Sequence, residues 1–378
     1  MRFSAKAKNE EWYTTVVLTT PMRSPSEKLK ELLLTAAQQG ASDLHLAVGF
    51  KPTLRIDGRL VPLTKEAILD AESAQSLISG LLTDAQKEQF TKEREVDFAY
   101  SFEEYARFRV NVFFQRGYMA AALRLIPTTI RTIEELGLPP VLHNLTKLSQ
   151  GFVLAVGPAG HGKSTTLAAL LDEINHSAMK HIITIEDPIE YLFIQDRSIV
   201  SQREVGSDTD TFTTGLRSIL RQDPDVIMIG EMRDSHSIST ALSAAETGHL
   251  VFSTLHTNSA AQTIDRIIDS FPAEQQGQIT SQLAATLVAI VSERLVPRTD
   301  GGRVPACEVM LVNSAIRNLI REKKAYQIDL VIETSVREGM VTMNRSLAQL
   351  VRENRISLES AEIFSPNIAE LKILLTRK

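Results

Sequence analysis

Cysteine, long apolar runs and blocks of basic charge are what this chain has least of. One cysteine in 378 residues, Cys307, excludes an intrachain disulfide and a four-cysteine zinc site, and reads as a small filler of the core. No run approaches the roughly 18 consecutive apolar residues that a membrane-crossing helix needs. The stretch before Pro25 is polar apart from Val16-Val17-Leu18 and lacks the apolar centre of a signal peptide, so a cytoplasmic protein is expected. Acidic side chains outnumber basic ones, 46 to 41, giving a net charge of −5, and basic residues never cluster into a long run. No nucleic-acid partner is expected, although a ring can hide a basic channel. What remains is ordinary for a folded protein: 43% hydrophobic and 23% charged residues, in a chain long enough for two domains. There is no internal repeat and no low-complexity tract.

The most informative stretch is Gly157-Pro158-Ala159-Gly160-His161-Gly162-Lys163-Ser164, followed by Thr165. It has the form G-x-x-x-x-G-K-S. The apolar run Phe152–Val156 precedes it, and a helix-forming segment from Ser164 to Asn175 follows, with Leu167, Leu170, Leu171 and Ile174 on one face. Glycines bare the backbone so that successive N–H groups converge on a polyphosphate at the helix N-terminus. Lys163, expected to be an exposed loop lysine, then supplies a charge to the β- and γ-phosphates, and the Ser164 hydroxyl a ligand to Mg²⁺. A glycine-rich turn with a chance lysine is the alternative; strand, loop and helix in register argue against it. The chain is expected to bind a nucleoside triphosphate, ATP, with Mg²⁺.

Around this loop the chain reads as a tail (1–25), a smaller α+β domain (26–127), a linker bounded by prolines (128–140) and an α/β domain (141–378). The first domain opens with a helix from Ser26 to about Gly40. Short strands follow at Leu44–Val48, Thr53–Ile56 and Arg59–Val61, with a turn at Asp57-Gly58. Helices near Ala71–Leu82 and Asp84–Lys92 and strands Arg107–Phe114 and Met119–Ile126 complete it. His45 reads as a half-buried strand histidine. The remainder alternates strand and helix, the pattern of a mostly parallel sheet, and ends in an amphipathic helical tail.

Ligands of open α/β sheets sit at the carboxyl ends of the strands. Besides Phe152–Val156, three apolar runs here end in polar residues suited to phosphate chemistry. His181–Ile185 leads to Glu186, Val226–Ile229 to Gly230-Glu231, and Leu250–Thr254 to His256. Glu231 is assigned to Mg²⁺, directly or through water, and Glu186 to polarising the attacking water, with the two roles open to exchange. His256 reads either as a sensor of the γ-phosphate or as structural. Arg217 and Arg221, four apart on a helix, read as nucleotide-contacting or as a solvated basic face. Arg109 and Arg124, in the first domain, are candidates for arginines that stabilise charge on the γ-phosphate.

These segments resemble one family, the secretion ATPases of type II secretion and type IV pili, and within it the PilT-type retraction motors. The resemblance rests on Ala41–Leu46, the phosphate loop, Thr184–Glu190, Gly230–Asp234, a histidine box spanning Thr247 to Thr257 with His249 and His256, and Ala315–Glu322. It implies a RecA-like P-loop ATPase core preceded by a PAS-like domain. It also implies a homohexameric ring, with nucleotide contacted by Arg109 and Arg124, and with His249 counted among the nucleotide-site residues. The implied work is pilus retraction at the inner-membrane base of the pilus machine, against the platform protein, with an accessory retraction ATPase as a further partner and only peripheral contact with the membrane.

Two loop positions depart from the family's usual Thr or Ser and Ser: Ala159 and His161. Backbone amides do the binding, so neither should abolish it, while His161 introduces a pH-sensitive group. Sister extension and secretion ATPases usually carry a tetracysteine module, which a single cysteine argues against. A nucleic-acid translocase and a non-hydrolysing scaffold are the other readings; the acidic balance and the full set Lys163, Glu186, Glu231 and His256 argue against them. In Ala315–Glu322, Ile316, Leu319 and Ile320 share one helical face, which must pack. Arg317 and Arg321 share another, read as a surface for coupling to a partner.

Overall fold

The computed structural model describes residues 25–56, 58–102, 106–127 and 129–376. The expected N-terminal tail up to 24 and Asp57 of the expected turn lie outside the described residues. The chain forms two compact units, one up to Leu125 and one from Ile126.

The first unit is built on a six-stranded sheet. Its strands are β1 (Asp43–Leu46), β2 (Thr53–Ile56), β3 (Arg59–Pro62), β4 (Glu95–Phe102), β5 (Ala106–Gln115) and β6 (Tyr118–Ile126), in the order β3-β2-β1-β6-β5-β4. Helices Pro25–Gln38, Ala71–Ser79 and Asp84–Glu93 accompany it. Asp70 caps the second, and Thr83 with Gln86 forms a capping box on the third. Leu33, Leu44, Leu54, Ile78, Phe108 and Leu123 are fully buried at the centre of the core. Strand β4 is absent from the sequence reading, although Val96, Phe98, Tyr100 and Phe102 alternate with smaller or polar neighbours.

The second unit contains a seven-stranded sheet of β7 (Gly151–Val156), β8 (His181–Glu186), β9 (Ile199–Glu204), β10 (Val226–Ile229), β11 (Leu250–Leu255), β12 (Leu287–Pro297) and β13 (Arg303–Leu311). Its order is β13-β12-β7-β11-β10-β8-β9. All neighbours run parallel except β13, which is antiparallel to β12. Residues of β7, β10 and β11 are buried throughout, because both faces of the sheet are covered. Leu154, Ile183, Ile227 and Val251 point into one core with helices Phe212–Ile219, Ser235–Glu246, Ala260–Asp269 and Ala273–Thr286. The alternate residues Val153, Ile182, Met228 and Phe252 point into the other, with helix Lys163–Ser177.

That second core also holds Ile133, Leu138 and Leu142, so the latter part of the expected linker is packed structure. Thr132 and Glu135 form a capping box on the short helix Ile133–Leu136. His143 ties this region to the helix after the phosphate loop: its Nε2 lies 2.7 Å from Glu134 and its Nδ1 2.7 Å from Glu173. The C-terminal helices Met343–Arg352, Leu358–Phe364 and Ile368–Thr376 pack on the far ends of β12 and β13 around Val296, Val304 and Leu347.

Candidate active site

Strand register brings the chemistry together. Val156 of β7 pairs with Leu255 of β11 and Ser292 of β12, while Ile229 of β10 pairs with Ser253 of β11 and Ile185 of β8. The strands therefore end nearly level, and the residues that follow them meet along one edge. A cleft there is lined by Ala159, Gly160, Lys163, Ser164, Glu186, Glu231 and His256, joined by Glu190, Tyr191 and Phe212. The side chains of Ser253 and Thr254 donate to the carbonyls of Ile229 and Gly230, at 2.9 and 2.6 Å, fixing the Glu231 turn against β11.

The loop itself demands glycine at two places. A Cβ on Gly157 would lie 2.6 Å from the Glu293 carbonyl oxygen, and Gly157 has φ 144°. Gly162 is the N-cap of helix Lys163–Ser177 in the left-handed region, with no side-chain cap. The first amides of that helix are left for an anion. His161 is held to the sheet: its Nδ1 accepts from the Leu295 amide at 3.0 Å. Burial, then Arg294, Arg303 and Lys163, push its imidazole below the ordinary value.

Lys163 is buried, contrary to the exposed position expected of a loop lysine. Its Nζ donates to the carbonyls of Gly157 (3.0 Å) and Pro158 (2.9 Å), and lies 3.4 Å from His256 Nδ1. Burial lowers its ammonium, partly offset by Glu293, Glu190 and Glu231. The other ring nitrogen of His256, Nε2, is 3.2 Å from Glu231 Oε2, and Glu231 is also paired with Arg233. His256 thus bridges the loop lysine and the Glu231 carboxylate.

Glu186 is the deeper carboxylate. It accepts from Thr184 Oγ1 (2.6 Å), Gln202 Nε2 (3.1 Å) and the Glu190 amide (3.3 Å). Burial nevertheless raises its carboxyl above the usual range, against the pull of those bonds. Thr165 shares a hydrogen bond of 2.8 Å with the Tyr191 hydroxyl, which joins the helix to the cleft wall.

Five further candidates stand elsewhere. His249 precedes β11, at the strand's amino end, where its Nδ1 bonds the Ala244 carbonyl at 2.9 Å. A six-residue strand, about 20 Å long, separates it from the His256 end, so it does not line the cleft of its own chain. Arg217 is exposed and pairs with His236 Nε2 at 2.9 Å, and Arg221 follows the helix end; neither lines the cleft of its own chain. In the first unit, Arg109 is exposed on β5 and Arg124 on β6. Arg124 donates to Asp43 at 2.9 Å, and Arg55 flanks the same carboxylate from β2. Burial alone would raise Asp43, but the bonds from Ser42 and Arg124 outweigh it and hold the carboxyl below its usual value.

Tyr191 and Glu293 escaped the sequence reading. Nothing local marks Tyr191. Glu293 had one signal, a lone acid inside the apolar run Leu287–Val296, but only the fold shows that it lies under the phosphate loop.

A glycine-rich loop leaving the buried strand β7, with acidic and histidine side chains at the ends of β8, β10 and β11, defines a P-loop nucleotide hydrolase with a RecA-like sheet. The chain belongs to the family described as type II/IV secretion system protein, whose model matches residues 23–364. It is 46% identical over 333 residues to the type IV pilus retraction ATPase PilT of Pseudomonas aeruginosa, covering 88% of this chain and 96% of that one. To the type IV pilus ATPase PilU of the same organism it is 40% identical over 349 residues, 92% of this chain and 91% of that one. Among solved structures, the pilus retraction motor PilT with bound ADP superposes with a TM-score of 0.84 at 46% identity, over 91% of this chain and 98% of that one.

Proposed function

We propose that this protein is an ATP-hydrolysing hexameric motor that powers type IV pilus retraction. The observation that carries the reading is likeness to the pilus retraction motor PilT, solved with ADP, over nearly the whole chain, combined with an intact hydrolytic set at the strand ends. Lys163 and the backbone amides of 159–165 bind the phosphates. Glu186, whose carboxyl burial raises above its usual range, orients and polarises the attacking water. His256, between Lys163 and Glu231, reports the γ-phosphate to the Glu231 turn.

Ser164 and Glu231 offer hard oxygen donors, the set that suits Mg²⁺. Among the described residues no cluster of three or more His, Cys, Asp or Glu could hold a metal. A Mg²⁺ shared between one or two protein oxygens and the substrate's own phosphates needs no such cluster. When bound, that ion neutralises charge on the β- and γ-phosphates.

No described helix is long and apolar enough to cross a membrane. By its likeness to the pilus retraction motor PilT, the ring would work as a peripheral assembly at the cytoplasmic base of the pilus machine, against the inner-membrane platform protein. The test is genetic: cells lacking the protein should accumulate surface pili and stop twitching, and the parent gene, but not Lys163→Ala, should restore both. Likeness to PilU favours a second reading, an accessory motor. Pili that still retract in the deletion strain, but fail under load, would select it.

A further inference from the structure

Among the described residues, Glu293 is the one buried acid beside the phosphate loop that the hydrolytic scheme leaves unused. It follows Ser292 on β12, which pairs with the last residue of β7, so it lies where the loop leaves the sheet. Its side chain is essentially inaccessible, at 1% exposure, and Oε1 has no hydrogen-bond partner. Oε2 lies 3.2 Å from where a Cβ on Gly162 would stand, and the Thr166 hydroxyl hydrogen-bonds the carboxyl. Lys163 is turned to the carbonyls of Gly157 and Pro158. A carboxylate so placed, with one bare oxygen and no direct ion pair, is costly, whereas a neutral carboxylic acid costs far less. A charge there would also lie just behind the amides that receive a polyphosphate, and would repel it.

We propose that Glu293 is a positioning residue whose proton sets the loop's affinity for nucleotide: neutral, it lets the loop and Lys163 close on the phosphates, and when ionised it must take up a proton for ADP or ATP to bind. The proposal rests on the nucleotide-binding reading of the loop. Burial pushes the Glu293 carboxyl up to about 8, against the pull of Thr166 and Lys163, so the linkage falls in the alkaline range. Other charged or titratable groups face this region. Lys163 comes from the helix and His161 from the loop, Cys307 stands opposite on β13, and Arg294 is next along β12. Arg131, Arg298 and Arg303 line the cavity that Glu293 shares with Gly162 and Thr165. At pH 8.5 the histidine is neutral and burial holds the Cys307 thiol protonated. Lys163, whose ammonium burial lowers, is the competing source of a proton signal.

Isothermal titration of the full-length protein with Mg·ADP at pH 8.5, in buffers of different ionisation enthalpy, counts the protons. The parent should take up more than about half a proton per ADP, and its affinity should fall up to about tenfold per pH unit above the Glu293 midpoint. Glu293→Gln, neutral and nearly isosteric, should bind ADP with that uptake at least halved, leaving only the Lys163 contribution. Thr166→Val removes a bond that lowers the carboxyl, so it should shift the uptake to higher pH. Equal proton counts in parent and Glu293→Gln, or no uptake by the parent, overturn the proposal whether or not a variant folds. Failure of the parent to bind ADP even at neutral pH is a different result, and overturns the nucleotide reading with it.

Discussion

Arg317 and Arg321 lie four apart on the helix Ser314–Arg321, yet the structure gives them different work. Asn313 caps that helix, accepting from the Ile316 amide at 3.1 Å, and Ile316 and Ile320 are fully buried. Arg317 reaches across to the end of helix Ala273–Thr286, donating to the carbonyls of Ala284 (2.7 Å) and Ala285 (2.9 Å). Those carbonyls belong to the helix's last turn, where no intrahelical donor exists. Arg321 is exposed and has no hydrogen bond or ion pair among the described residues. A double alanine change would therefore mix a structural loss with any coupling loss, so the two must be separated. Bonds to a charged donor contribute about 1.5–3 kcal/mol when buried; one of these is exposed, so Arg317→Ala should cost roughly 1–2 kcal/mol. In a unit of this size that lowers Tm by about 2–8 °C. Arg321→Ala should stay within about 0.5 kcal/mol of the parent, with normal hexamers and ATPase activity. Cells carrying Arg321→Ala should nevertheless keep their pili and fail to retract them. Scanning calorimetry, phosphate release and counting of surface pili read the three quantities. Normal twitching with Arg321→Ala would reduce its face to ordinary surface, and an unchanged Tm with Arg317→Ala would refute the capping argument.

Four other outcomes are expected. Lys163→Ala should lower ATP turnover by at least ~10²-fold, the cost of deleting one preorganised donor at developing charge, and turnover within a few-fold of the parent would remove the phosphate assignment. Glu186→Ala should still bind Mg·ATP while hydrolysing it at least ~10²-fold more slowly; a normal rate there with failure only in Glu231→Ala would exchange their roles. Mass photometry with ATP and Mg²⁺ should find a ring of six 41.9 kDa chains, about 250 kDa, and monomers alone at micromolar protein would count against it. His161 Nδ1 must be unprotonated to accept from Leu295, and its folded value is depressed, so its contribution is full above the ordinary imidazole value of 6.5 and is lost as pH falls below it. His161→Ala should thus melt below the parent at pH 7.5 and converge with it near pH 5; a gap that persists at pH 5 would show that the tether is not proton-linked.

Much of this architecture was legible because its signals are local. The phosphate loop announces itself by glycine spacing, and β8, β10 and β11 by apolar runs that stop at a charge. Burial of both sheet faces made those runs continuous, which is why they stood out. Strand β4 was missed for the opposite reason: half-buried, it mixes Glu95, Asp97 and Ser101 among its apolar positions. The packed segment around Ile133 and Leu138 resembled a linker because its apolar residues are too few to show a period.

Residues whose role depends on a distant strand left no such trace. His249 and His256 sit in one histidine box, and only the direction of β11 separates them by the length of the strand. Lys163 looked like an exposed loop residue because its partners, the carbonyls of Gly157 and Pro158, are backbone atoms with no signature in side-chain sequence. Glu293 lies 130 residues beyond Lys163, yet β12 pairs directly with β7, so the strand order alone sets that carboxyl beneath the loop. The spacing of a motif fixes which groups meet the phosphate; the sheet's neighbour relations decide what stands behind them, and hence how readily the loop accepts charge.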